Sequence, residues 1–256
     1  MNNQLNFLMC IKGVNFMSSI QLTDVQKHFQ KRSIIQNVSL SIDSGKIFGV
    51  IGPSGCGKTT LIKLIVGMLK ADAGQIKVFH QTVPNYNILK RIGYMAQSDA
   101  LYSDLTGMEN MQFFAKLYSL NKAERDKRIA YAADIVQLTN ELSHKVQNYS
   151  GGMKRRLSLA IALLQNPDIL ILDEPTVGID PALKLTIWQE LERLKKIEKK
   201  TILLTTHVMD EAEKCDELAL MREGKIIATG TPTKLKALYS ADTFDEVFLR
   251  AGGAKI

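Results

Sequence analysis

The sequence is poor in cysteine. It holds three in 256 residues, Cys10, Cys56 and Cys215, odd in number and without regular spacing. That excludes a disulfide framework as the organising element and favours a reducing compartment. No Cys/His spacing suggests zinc, and His28, His80 and His144 read as surface or turn residues. Long hydrophobic runs are also missing. A helix crossing a bilayer needs about 18 or more apolar residues, whereas the longest helix-like stretch, 157–164, contains Ser158 and is flanked by Arg156 and Gln165. Residues 1–16 lack a basic n-region and a small-residue cleavage site, and read as a poorly ordered extension. There is no aromatic–basic stacking motif and no long coiled coil, so nucleic acid is not expected as a partner.

What remains is an ordinary globular composition, 45% hydrophobic, of a length that suits one large domain or a domain with an inserted lobe. The net charge of +7 is unevenly placed. Residues 1–100 hold 11 basic and 4 acidic side chains, and residues 101–256 hold 22 of each. A positive half suits a polyanionic nucleotide or an anionic membrane surface.

That half contains Gly52-Pro53-Ser54-Gly55-Cys56-Gly57-Lys58-Thr59, which satisfies every fixed position of the phosphate-loop pattern. Residues 46–51 before it read as a short buried strand and residues 60–69 after it as a helix. Glycines let main-chain N–H groups turn inward around phosphate oxygens, and the helix N-terminus adds partial positive charge. Lys58 is placed to reach the β- and γ-phosphates, and the Thr59 hydroxyl to bind Mg²⁺. About a hundred residues on, 169–172, after Asp168, form an apolar run closing on Asp173 and Glu174. Ligands of open α/β sheets sit beyond the carboxyl ends of strands, so both carboxylates are expected to face the phosphates. One is needed to hold Mg²⁺ and one to orient and deprotonate water. Between these motifs lies Tyr149-Ser150-Gly151-Gly152-Met153, with Ser150 placed to cap a second helix.

The order of these motifs resembles the ATP-binding cassette (ABC) family over roughly residues 20–231. The resemblance implies an α/β fold: a P-loop NTPase core with an antiparallel β subdomain and an inserted α-helical subdomain. It implies ATP and Mg²⁺ as ligands, with Asp173 binding the metal and Glu174 acting as base. Gln97 resembles the glutamine that contacts Mg²⁺ and water, and His207, ending the strand 201–206, resembles the switch histidine at the γ-phosphate. Ser150, Gly151 and Gly152 resemble the signature turn that touches ATP on the other copy of a sandwich dimer. Family signatures usually read Leu-Ser-Gly-Gly-Gln, where this chain has Tyr149 and Met153 at the ends, and the run into Lys154-Arg155-Arg156 is more like export-type members. Thr60 completes the phosphate-contacting loop. Gly178-Ile179-Asp180-Pro181 resembles the D-loop, and Asp180 and Pro181 also make a sound helix start. Phe29 resembles the aromatic residue that stacks on adenine.

The implied partners are an integral membrane permease on a separate chain and a second ATPase subunit, identical or related. The implied place is the cytoplasmic face of the membrane. The alternative function is a nucleotide-gated switch ATPase that regulates or assembles a membrane complex without transporting substrate. Along the chain the expectation is an extension over 1–16, an ATPase domain over 17–237 and a C-terminal tail over 238–256. Within the domain, residues 19–43 read as antiparallel strands, and a helical subdomain covers about 98–165. Thr106 to Glu109 forms a capping box, and Asn121 opens a second helix. Leu101, Tyr102, Phe113, Phe114 and Tyr118 are candidate contacts for the permease. Thr231-Pro232 is expected to start the last helix.

Overall fold

The structure, a computed structural model, describes residues 18–97 and 100–251. The expected extension over 1–16 lies outside the described residues. Two sheets organise the chain. The first is antiparallel, from β1 (Ser18–Phe29), β2 (Arg32–Asp43), β4 (Ala73–Val78) and the short β5 (Gln81–Thr82), in the order β2-β1-β4-β5. In β2 the segment 38–42 alternates: Val38, Leu40 and Ile42 are buried, and Ser39 and Ser41 are exposed.

The second sheet contains β3 (Ile47–Ile51), β6 (Ile92–Met95), β7 (Ile169–Asp173), β8 (Thr201–Thr206), β9 (Glu217–Arg222) and β10 (Lys225–Gly230). Its order is β10-β9-β3-β8-β7-β6. All neighbours are parallel except the β9–β10 hairpin. Every residue of β3, β7 and β8 is buried, as continuous apolar strands covered on both faces should be. The carboxyl ends of β3, β7 and β8 lie in register, with Ile51 opposite Thr206 and Asp173 opposite Thr205. The phosphate loop, the acidic pair and His207 therefore all emerge from one edge of the sheet.

Helix α1 (Lys58–Val66) follows the phosphate loop. It begins two residues earlier and ends three residues sooner than the apolar spacing predicts. Gly67, at φ 83°, is a left-handed C-cap whose N–H returns to the last turn. A short helix, α2 (Tyr86–Leu89), precedes β6. The expected helical insert comprises α3 (Gly107–Leu117) and α4 (Lys122–Ile135), leading into α5 (Gly151–Leu163). Thr106 and Glu109 form the full reciprocal capping box, and Asn121 accepts from the N–H of Glu124. Helix α6 (Pro181–Lys196) starts at Asp180 and Pro181 and ends in Arg193, Lys195 and Lys196, where cations meet the negative end of the dipole.

After α7 (Met209–Ala212), Thr231 caps α8 (Pro232–Leu238) as expected. It is not the last helix. A further helix, α9 (Phe244–Ala251), inserts Phe244 and Val247 into the same core as α6 and β8. Within the described residues, the stretch 238–251 therefore contributes packed structure. Among the described residues no helix is long and apolar enough to cross a membrane.

Candidate functional site

The turn between β3 and α1 depends on its glycines. Gly55 and Gly57 have φ of 77° and 113°, in the left-handed region. A Cβ on Gly52 would lie 2.2 Å from the carbonyl oxygen of Met221 and 2.7 Å from Cys56 Sγ. Gly57 is the N-cap of α1 and offers no side-chain acceptor, so the first-turn N–H groups are left for an anion. Lys58 is buried, and its ammonium donates to the carbonyl oxygens of Gly52 at 2.8 Å and Pro53 at 3.2 Å. Burial raises the Cys56 thiol pKa, with the Lys58 charge acting in the opposite direction.

Beside this turn is a cleft of about 370 Å³. Phe29, Ser54, Gly55, Gly57, Lys58, Thr59, Thr60, Gln97 and Glu174 line it. Nine of the residues singled out in the sequence thus converge, and Phe29 stands 46% exposed at the wall. Gly52, Pro53 and Cys56 do not line the cleft; Gly52 and Cys56 are buried, and Pro53 is exposed. Thr59 Oγ1 donates to Gln97 Oε1 at 3.3 Å, which joins the start of α1 to the segment after β6.

Glu174 holds the centre. Its φ is 54°, a conformation uncommon for a residue with a side chain. Its N–H donates to both the main-chain oxygen of Thr205 (3.1 Å) and its hydroxyl (3.0 Å). Its carboxylate lies 3.8 Å from the Lys58 ammonium and 3.1 Å from His207 Nδ1. Glu174, Lys58 and His207 therefore form one contiguous set.

Asp173 is fully buried. One oxygen accepts from Thr205 Oγ1, and the other, Oδ2, has no hydrogen-bond partner. A buried carboxylate oxygen left unsatisfied is costly, and a hard cation would satisfy it. Among the described residues no cluster of three or more His, Cys, Asp or Glu could hold a metal. Mg²⁺ does not need one: it typically takes one or two carboxylates, with waters and phosphate oxygens completing the shell. Asp173 Oδ2, the Thr59 hydroxyl and Gln97 Oε1 fit that donor set. Burial, and next the Asp173 charge, push the Tyr94 phenol up to about 12.

Ser150, Gly151, Gly152 and Asp180 stand apart from the cleft. Ser150 is the N-cap of α5 and accepts from the N–H of Met153 at 3.2 Å. Gly151 and Ser150 are exposed, and a Cβ on Gly152 would lie 3.0 Å from the carbonyl oxygen of Gly178. The signature turn therefore abuts the D-loop of its own chain. Asp180 accepts from the N–H of Leu183 as the N-cap of α6, so its side chain serves the helix start.

Sequence reasoning missed three supports. Thr205 anchors both Asp173 and Glu174. Glu211, buried on α7, accepts from the hydroxyls of Thr176 and Thr206, joining the segments after Glu174 and before His207. Arg155, in the first half of α5, is 7% exposed and donates to main-chain carbonyls of both strand ends. The periodicity held a clue to it: Arg155 precedes Leu159 and Ala162 by four and seven residues and shares their buried face.

A second, apolar groove of about 310 Å³ lies on the other side of Gln97. Met68, Leu89, Tyr94, Leu101, Phe114 and Tyr118 line it, together with Ala96 and Ala100 from the segment that carries Gln97. Tyr102 and Phe113 are exposed at the surface and meet edge to face, with ring centroids 4.8 Å apart.

Residues 35–177 match the family described as ABC transporter. The chain is 39% identical over 222 residues to Nod factor export ATP-binding protein I of Burkholderia thailandensis, covering 86% of this chain and 73% of that protein. It is 38% identical over 232 residues to the linearmycin resistance ATP-binding protein of Bacillus subtilis, covering 88% and 73%. Among solved structures, an ATP-binding subunit of an ABC transporter superposes with a TM-score of 0.84 at 25% identity, over 92% of this chain and all of that one. A dimeric ATP-binding cassette in a post-hydrolysis state, bound to ADP and Pi, gives 0.77 at 26% identity, over 83% and 98%. With the phosphate loop, the acidic strand end and the Ser-Gly-Gly helix start each in place, the chain belongs to the ABC transporter family, as an ATP-binding subunit that hydrolyses ATP.

Proposed function

We propose that this subunit powers export through a separate membrane permease and hydrolyses ATP in a sandwich of two ATPase subunits. The observation that carries the hydrolytic part is the Glu174 carboxylate, held 3.1 Å from His207 and 3.8 Å from Lys58 at the mouth of the phosphate cleft. Lys58 and the first-turn amides of α1 bind the phosphates. Phe29 offers its exposed face to the adenine. Asp173 Oδ2, Thr59 and Gln97 would hold Mg²⁺, which when bound neutralises phosphate charge and polarises the phosphoryl oxygens. Glu174 orients the attacking water and takes its proton, and His207 holds the Glu174 carboxylate towards the cleft. Ser150 and Gly151, exposed, and Gly152, half-buried, lie outside their own chain's cleft and contact the nucleotide of the second subunit. Asp180 caps α6 and steadies the D-loop beside that turn.

The permease docks in the apolar groove bounded by Leu101, Phe114 and Tyr118, with Tyr102 and Phe113 at its rim. Ala96 and Ala100 line the groove on either side of Gln97, so an occupant pressing on them moves the residue that faces Thr59. This geometry favours coupled transport over a free-standing switch. Export rests on the relatives, which are named for Nod factor export and for linearmycin resistance. A subunit docked in this way lies peripherally on the cytoplasmic face of the membrane.

The deciding experiment is Glu174→Gln. The amide keeps the shape but cannot accept a proton, so ATP affinity should hold while turnover falls by about 10²–10⁴-fold. The variant should accumulate as an ATP-bound dimer, seen by light scattering with Mg-ATP. Near-normal hydrolysis would remove Glu174 from the base role.

A further inference from the structure

Arg155 sits within a basic run, Lys154-Arg155-Arg156, yet it is buried. Its Nη1 donates to the main-chain oxygens of Ala96 at 2.8 Å and Gln97 at 2.9 Å. Its Nη2 donates to the main-chain oxygen of Glu174 at 2.6 Å and to that of Asp173. These four carbonyls lie at and just past the carboxyl ends of β6 and β7, where the parallel ladder stops at Met95 and Leu172. The planar guanidinium fork takes over where the sheet's own hydrogen bonds end.

The consequence falls on Glu174. Its left-handed main chain is costly for a non-glycine residue and persists only where its surroundings over-determine it. Thr205 holds its N–H side, and Arg155 holds its carbonyl side. The same guanidinium holds the main chain of Gln97, whose side chain meets Thr59 across the cleft. Arg155 is also five residues from Ser150, about 7–8 Å along the helix axis. The helix end that faces outward is thereby fastened to the acidic strand end of its own chain.

We propose that Arg155 is a positioning residue for hydrolysis. It holds the main chains of Glu174 and Gln97 in the geometry that turnover requires and fastens them to the Ser150 helix end. The inference rests on the reading of Glu174 as base, and the experiment separates the two. Arg155→Met, Arg155→Lys and Glu174→Gln are compared with the wild type for kcat, for KM of Mg-ATP and for thermal melting. The four carbonyls that Arg155 holds, of Ala96, Gln97, Asp173 and Glu174, lie outside the phosphate loop, so affinity should be spared. A displaced reacting group can cost about a hundredfold, so kcat of Arg155→Met should fall roughly ten- to a hundredfold. KM should stay within about threefold, because ground-state binding is unchanged. Arg155→Lys keeps the charge but reaches fewer carbonyls, and should fall between the two. If Arg155→Met melts below the assay temperature, the Lys variant carries the test on the same criterion. A folded variant with wild-type kcat, or one that loses affinity while keeping kcat, overturns the inference. If Glu174→Gln is dead while Arg155→Met is fully active, the base assignment stands and only the positioning role fails. An active Glu174→Gln removes the ground on which both rest.

Discussion

Two helices of this chain begin with glycine-rich turns, and they solve the same problem in opposite ways. Helix α1 starts at Gly57, with φ 113° and no side-chain cap, and its first residue, Lys58, is buried. Helix α5 starts at Ser150, whose hydroxyl accepts from the N–H of Met153, and its first residue, Gly151, is exposed. The first end leaves its donors open inside a cleft that the chain builds by itself. The second satisfies one donor locally and presents the rest outward. A helix N-terminus attracts anions in either setting. Whether it does so for its own chain's nucleotide or for a neighbour's depends on what surrounds it.

The comparison breaks most visibly at Gly152. In Gly152→Asp a carboxylate stands where a second subunit's γ-phosphate must approach, reversing the favourable field. Loss of a charge-stabilising contact costs about 10²–10³ in turnover, and charge repulsion should cost at least that. ATP binding to the isolated subunit should be normal, and ATP-driven dimers should be absent in sedimentation. A Cβ at this position meets the Gly178 carbonyl at 3.0 Å, so Gly152→Ala is the control for bulk without charge. Should Gly152→Asp abolish ATP binding to the monomer, the α5 end would belong to its own chain's site, and the contrast with α1 would collapse.

The next effect is at the other helix. Lys58→Ala removes a buried charge-assisted contact worth about 1.5–3 kcal/mol, or roughly ten- to a hundredfold in ATP affinity by calorimetry. Here the monomer itself should be weakened, the reverse of the Gly152 result. Unchanged affinity would contradict the assignment of the α1 end to phosphate.

The smallest effect sharpens the contrast. Ser150→Ala leaves α5 uncapped and should lower stability by about 0.5–2 kcal/mol in denaturant unfolding. Ser150→Asp keeps a capping acceptor but adds negative charge beside the outward-facing donors. It should therefore retain stability while losing dimer formation. If both variants lose stability and keep the dimer, Ser150 serves the helix alone.

The motifs and the helix starts were legible for a physical reason: each is local. Phosphate loops need fixed residues at fixed spacing, and residues 52–59 supply all of them. The Thr106 capping box closes within four residues and forms as read. The strand residues 169–172 are all apolar because both faces of the strand are covered. Arg155 was illegible because Lys154-Arg155-Arg156 has the composition of a solvated helix face. Its burial follows from where β6 and β7 stop. Glu211 reads as one of several acids after His207, and only the fold brings Thr176 and Thr206 to it. The helix over 244–251 was passed over because its apolar face gains meaning only against the core that receives Phe244 and Val247.

By itself, the sequence determined which groups the chain has for binding phosphate and moving a proton, since spacing of a few residues constrains local backbone and little else. Tertiary structure decided how those groups are aimed. The parallel register of β3, β7 and β8 brings Lys58 to one edge with Glu174 and His207, both more than a hundred residues further along the chain. The strained turn at Glu174 is held by Thr205 from one strand and by Arg155 from a helix. A conformation that costs energy locally persists only when distant parts of the chain oppose its relaxation, and no local pattern encodes that opposition.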